Sequence, residues 1–324
     1  MKALKAAILA LISLTLIATA CACNKEPAPD DTPTEVYYTV SFLSTGSEIE
    51  SVKVKDGEKI EKPDTPEREG YVFNGWSVDG NAWDFAEGKV GADMTLVAEW
   101  LEADRVYSFE STPDGARITA VLRKLPEMSV PSTINGIRTV EIGEAAFADI
   151  SCSEVSSITV ADTVTRIERG AFARCVDVEI TVRGALTYVG EAAFEGCNRL
   201  RAISFASGLT EIPYRAFAGC SSLSAAMLPN TLELVDENAF EDCSSLRTVA
   251  LHPSTARIAD AAFEGCERLE RVCFVGTSAQ FDAIAVDGLN AELAQATVYF
   301  YSENQPDTEG SYFCFDSKGN VKFW

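Results

Sequence analysis

The sequence predicts a mainly β chain: a small β domain followed by a solenoid of short strands joined by short helical or irregular turns. Three observations predict it. Phenylalanines recur at near-constant spacing: Phe147, Phe172, Phe194, Phe217, Phe240 and Phe263 are 25, 22, 23, 23 and 23 residues apart. Each is followed by a short alternating apolar piece, "ITV", "ITV", "ISF", "AML", "VAL" or "VCF", whose period of two belongs to a strand. The segment 37–101 carries three of the four tryptophans, which suits a core too small to hold without large aromatics.

The chain opens with Lys2 and Lys5 and an apolar run from Ala6 to Ala20, ending in small residues before Cys21. That is the pattern of an export signal over 1–20, short for a spanning helix. Ala18-Thr19-Ala20-Cys21 resembles a bacterial lipobox, which implies lipidation at Cys21; Cys23, after Ala22, is the alternative. Residues 21–36 follow as a tether. Their "NKEPAPDDTPTE" is rich in proline and acid and cannot form a core.

From Tyr37 the pattern changes. Tyr38, Val40 and Phe42 alternate with Thr39 and Ser41, as in a half-buried strand, and Ser51–Lys55 alternates again. Tyr71, Phe73, Trp76, Trp83, Phe85, Leu96 and Trp100 supply a core. "VKVKDGEKIEKPDTPEREGYVFNGW…WDF…MTLVAEW" resembles the Listeria–Bacteroides repeat, also called the internalin B-repeat, across 37–101. The resemblance implies a compact grasp-like β fold with a short helix, used as a spacer or contact module on bacterial surfaces.

In the solenoid, 102–276, alanine precedes each repeating phenylalanine, and a β-branched residue stands five before it: Ile142, Ile167, Val189, Ile212, Val235 and Ile258. Cysteines follow: Cys152 five after its phenylalanine, then Cys175, Cys197, Cys220, Cys243 and Cys266 three after theirs. A fixed period of this size means turns stacked about 4.8 Å apart, one short strand per turn, in a parallel sheet. "LTEIPYRAFAGCSSLSAAMLPN" and "LELVDENAFEDCSSLRTVALHP" resemble the BspA-like leucine-rich repeat of bacterial surface proteins. "VPSTINGIRTVEIGEAAF" is similar to the opening repeat. Two irregularities stand out: the repeat 172–182 is one residue short, and that of Phe147 carries two extra residues.

Stacking places the cysteines in a column. Parallel side chains in a line do not converge on a metal, and their Cβ vectors do not suit unstrained bridges. The expectation is a wall of small buried thiols. Cys273, between Val272 and Phe274, should point out of the sheet, where it is either exposed and reactive or covered by the C-terminal segment; covered is the expectation. The same outward column contains Thr159, Thr181, Ser204, Met227 and Ala250. They are small and uncharged, and they form the candidate binding face. Segment 277–324 is expected to cap the open solenoid: a short helix over 278–286, a strand in "ATVYFYS", and a hairpin about Ser317–Asn320.

The functional reading is bounded by what is missing. With 27 basic against 49 acidic residues, nucleic acid and polybasic membrane contacts are excluded. One histidine, His252, leaves no His-rich metal site and only one base for a hydrolase triad. No cofactor motif is present, and no enzyme is expected. The BspA-like resemblance implies a lipid-anchored surface protein that binds a host matrix protein or another bacterial surface protein. The alternative is an envelope protein associated with cell-wall glycan.

Overall fold

The computed structural model describes residues 35–304, 310–316 and 321–323. The signal, most of the tether, both lipidation candidates Cys21 and Cys23, and the expected turn 317–320 lie outside the described residues.

The N-terminal unit is one five-stranded sheet. Its order across the sheet is Ser47–Lys55, Tyr37–Ser44, Met94–Glu102, Tyr71–Val78, Asn81–Ala82. The first and last long strands pair in parallel, Phe42 opposite Leu96; the other pairings are antiparallel. The alternation read from Tyr38, Val40 and Phe42 buries Val40 and Phe42 against Trp76, whose ring meets Phe42 edge-on at 5.0 Å. The short helix implied by the family resemblance is absent: 56–70 runs without regular structure. Pro63 and Pro66 account for it, because each removes a helical donor and clashes with the turn before it. The unit is also no free spacer. Val72, on the opposite face of its strand from Phe73, is fully buried in the solenoid's own core, with Leu101 packed beside it.

The solenoid is built around its phenylalanine corner. The rings of Phe172 through Phe263 stack at 5.3–5.4 Å with planes within 9° of parallel. Phe147 joins at 5.0 Å, and Tyr107, fully buried with its hydroxyl donating to the Ser129 carbonyl at 2.9 Å, closes the N-terminal end. The residue two before each phenylalanine has a left-handed backbone, with φ between 52° and 58° at Ala145, Gly170, Ala192, Arg215, Asn238 and Ala261. The residue two after it does too, from Asp149 to Gly265. This tight double bend aims three N–H groups per turn along the axis. In one turn, Ala192, Phe194 and Gly196 donate to the carbonyls of Tyr214, Ala216 and Ala218 at 2.9, 2.8 and 2.7 Å.

Two parallel faces run from this corner. One carries the expected strands Ser157–Val160, Glu179–Val182, Ala225–Met227, Thr248–Leu251 and Arg271–Phe274. The other is a ladder that starts on the six-residue strand ending at Ile142 and continues in two-residue strands around Ile167, Val189, Ile212, Val235 and Ile258. The ladder is interrupted between the turns of Phe194 and Phe217, and the strand face is interrupted beside it, on both sides of 203–205, between Glu179–Val182 and Ala225–Met227. On the ladder face the residue after each short strand donates back to the previous turn: Gly190 to Ile167 at 2.8 Å, Asp236 to Ile212 at 2.9 Å. At the break that residue is Pro213, which has no N–H to give. On the strand face the cause is the short repeat. Ile180 stands two residues after Val178, where the other turns keep three. The next segment slips: Ser204 accepts from the Leu186 N–H and Ala206 donates to the Leu186 carbonyl, both at 2.9 Å. The expected strand 203–205 is therefore only an isolated bridge, Leu186 with Phe205.

The C-terminal cap extends the strand face with Thr297–Tyr301, Tyr312–Phe315 and Val321–Phe323. The helix expected over 278–286 stops at Phe281, and Ala285–Val286 instead adds a strand to the ladder. Asn290, 5% exposed, ends the phenylalanine corner. Its Oδ1 accepts the Phe263 N–H at 3.0 Å, in the place a further turn's carbonyl would occupy, and its Nδ2 donates to Ala259, Asp287 and Gly288. Glu292 does the same for the Gly265 N–H at 3.2 Å.

Two outcomes follow. Asn290→Ala strands a buried donor and three carbonyls and lowers unfolding free energy by about 2 kcal/mol in urea denaturation. Ala192→Gly relieves a left-handed alanine and raises stability by up to about 1 kcal/mol; a loss of stability would disprove the strain argument.

Candidate binding surface

The cysteine column is a wall. Cys175, Cys197, Cys220, Cys243 and Cys266 are fully buried, and no cysteine among the described residues is in a disulfide. Each thiol donates to the phenylalanine carbonyl of the turn before it. Cys175 reaches Phe147 at 3.0 Å, Cys220 reaches Phe194 at 3.2 Å, and the others fall between. A thiol suits the position because it is small, mostly apolar and a weak donor to a carbonyl with a spare lone pair. Burial pushes the Cys197 and Cys220 thiols well above the usual range. Cys152 departs from expectation: it is exposed, and Ile150, three after Phe147, takes the wall position. The two extra residues push Cys152 into a surface loop.

The outward column is divided by its neighbours. Ala250 and Cys273 are buried beneath Phe313 of the cap, with Tyr299, Val321 and Phe323 around them. Cys273 is covered as anticipated, and burial raises its thiol to about 11. Ala250, placed on the binding face by its sequence position, is thereby removed from it; an alanine leaves room for Phe313 to seat. Met227 is half-buried at the edge of the same cluster. At the other end Thr159 is half-buried beneath the N-terminal unit, in a cleft also lined by Tyr71 and Trp100.

Thr181 and Ser204 remain exposed, and they flank the interruption of the sheet. A slot of about 140 Å³ lies there, bounded by strand Glu179–Val182 and by the displaced 201–204 segment. Arg199 and Arg201 stand at its side; Arg201 pairs with Glu179 at 3.4 Å, and Arg199 has no partner among the described residues. The edge of strand Glu179–Val182 that would bond to the next turn has no strand against it.

The ladder face has another character. Arg117, Glu141, Arg166 and Tyr188 succeed one another on it. Glu141 takes both oxygens to Arg117, and Arg166 lies 4.1 Å over the Tyr188 ring. Burial raises the Glu141 carboxyl despite that pair. His252 is half-buried, and burial lowers the pKa of its imidazole. Among the described residues no group of three or more His, Cys, Asp or Glu side chains is placed to hold a metal ion, and no helix is long and apolar enough to cross a membrane.

This architecture is a leucine-rich-repeat solenoid with a docked β module. Residues 140–278 match the BspA type leucine rich repeat region in six copies, and residues 38–99 match the Listeria-Bacteroides repeat domain. Among known proteins the chain is 42% identical over 88 residues to a protein of Evansella cellulosilytica named as a Gly-rich membrane protein, covering 26% of this chain and 10% of that one. It is 38% identical over 81 residues to internalin H of Listeria monocytogenes, covering 24% and 14%. The chain thus spans only a small part of these relatives' length. Among solved structures, a leucine rich cell surface protein of Faecalibacterium prausnitzii shares 25% identity at a TM-score of 0.37, over 55% of this chain and 40% of that one.

The thiol geometry has a direct readout. In the native chain from Asn24, Cys152 reacts with a thiol reagent at the rate of a free cysteine. Cys175 through Cys273 react only after denaturant is added, and mass spectrometry of the trapped adducts distinguishes them.

Proposed function

We propose that this protein is a non-catalytic bacterial surface lipoprotein, anchored through Cys21 or, failing that, Cys23, whose solenoid binds a protein ligand. The observation that carries this reading is the open slot between the two covered ends of the strand face. There a strand edge without a partner, Glu179–Val182, meets small uncharged side chains, Thr181 and Ser204, with an unpaired arginine alongside. An extended segment of a partner could add to that edge by main-chain hydrogen bonds, with Arg199 favouring an acidic side chain. The match of 140–278 to a repeat region typical of surface proteins supports the reading, as does the export signal read from residues 1–20. The ligand would be a host matrix protein or a surface protein of another bacterium.

The test is binding of the chain from Asn24 to immobilised matrix glycoproteins and, in parallel, to purified bacterial wall. Thr181→Trp and Ser204→Trp fill the slot and are expected to weaken matrix binding at least tenfold without shifting the melting temperature. Unchanged affinity removes the slot. Binding to wall alone moves the protein to the glycan-associated class.

A further inference from the structure

The cleft between the N-terminal unit and the solenoid has not been used by this reading, and it holds an anomaly. It measures about 170 Å³. Its wall is Arg68, Tyr71 and Trp100 of the N-terminal unit, and its floor is Ser129, Ser157 and Thr159 of the first solenoid strands. The guanidinium of Arg68 lies 3.6 Å over the centre of the Tyr71 ring and 6.0 Å from that of Trp100. It has no carboxylate and no hydrogen-bond acceptor among the described residues. The other arginines without an ion pair, Arg123, Arg138, Arg199 and Arg268, are exposed, whereas Arg68 is half-buried. In a chain of net charge −22 it is the one half-buried guanidinium among the described residues that is balanced by ring faces and not by a carboxylate.

Neighbouring acids are not its partners. Glu67 pairs across the cleft with Arg183, and Glu127 pairs back with Lys62. These two ion pairs, with Val72 in the solenoid core, fix the width of the cleft. Glu69 is exposed at the rim. A guanidinium held against a ring keeps its in-plane N–H donors free at the edge, in the fork that suits a carboxylate. Around it stand an aromatic wall for apolar ring faces, serine and threonine hydroxyls, and a rim carboxylate that can accept from hydroxyls.

From this we propose that the cleft binds an acidic saccharide. The sugar's carboxylate would sit on Arg68, its ring against Tyr71 and Trp100, and its hydroxyls on Ser129, Ser157, Thr159 and Glu69. The hydroxyl-rich floor and the rim acceptor favour a sugar, whose hydroxyls each donate and accept, over an acidic peptide, whose N–H groups only donate. The site is separate from the slot at Thr181 and Ser204, so either can fail without the other.

The test titrates the full-length protein with D-glucuronic acid and N-acetylneuraminic acid. D-Glucose, N-acetylglucosamine and a capped diglutamate peptide serve as comparisons, followed by Trp fluorescence and saturation-transfer NMR. Saturable binding of at least one acidic sugar is expected, at least tenfold tighter than its neutral counterpart. Arg68→Gln should weaken it at least tenfold, and Arg68→Lys should weaken it too, because an ammonium cannot form the fork. Ser157→Tyr, which fills the cleft from the solenoid side, should act like Arg68→Gln, while Arg268→Gln, at an exposed arginine remote from both surfaces, leaves binding unchanged. The proposal is overturned if wild type binds no acidic sugar, if Arg68→Gln binds as well as wild type at an unchanged melting temperature, or if the peptide binds as tightly as the sugars.

Discussion

Everything in the solenoid depends on one corner being able to repeat. The phenylalanine ring must lie flat on the next ring, and three N–H groups must find three carbonyls one turn on. Both demands are met by the same backbone, a bend with a left-handed residue on either side of the ring. The sequence around it is the set of residues that tolerates that bend. Alanine before the ring leaves room for the neighbouring turn, and glycine, asparagine or aspartate often occupies the left-handed positions. The thiol then fills the remaining small space and satisfies the ring residue's carbonyl from the following turn. Buried phenylalanines of this kind are each worth several kcal/mol, so the column outweighs the strain of the bends that make it.

The two ends show what a repeat requires at its limits. At the N-terminal end Tyr107 supplies a ring without the rest of the motif, and the β module contributes Val72 to the shared core. At the C-terminal end side-chain groups, Asn290 and Glu292, imitate the backbone of a turn that is not there. The hairpin that follows covers the last strands, and in doing so buries Ala250 and Cys273. The ends thus decide how much of the strand face stays open, and they leave the middle.

The periodic parts of this architecture were legible in the sequence because periodicity is written residue by residue. The ring column, the thiol wall, the strands and the alternating core of the β module all follow from spacing. The covered position of Cys273 followed from the need to close an open sheet. What escaped is whatever breaks the period. Cys152 matches the column by residue type, although counting three from Phe147 leads to Ile150. Pro213 was in plain sight, but its missing donor matters only once the ladder it interrupts is known. Asn290 lies beyond the repeat and carries no spacing signal. The consecutive buried residues Val72 and Phe73 did hold a hint that both faces of that strand are covered, one by each unit.

The interruption at Pro213 has a mechanical meaning. Across it the phenylalanine corner stays bonded, while neither sheet face does. The array is therefore bound like a book: one spine, two stiff covers, and a fold line whose position is set by a single imino acid and a single missing residue. Bending elsewhere must break several parallel-sheet hydrogen bonds at once, whereas bending here breaks few. Curvature at this line is held by the corner alone, and Thr181 and Ser204 stand on either side of the gap in the strand face.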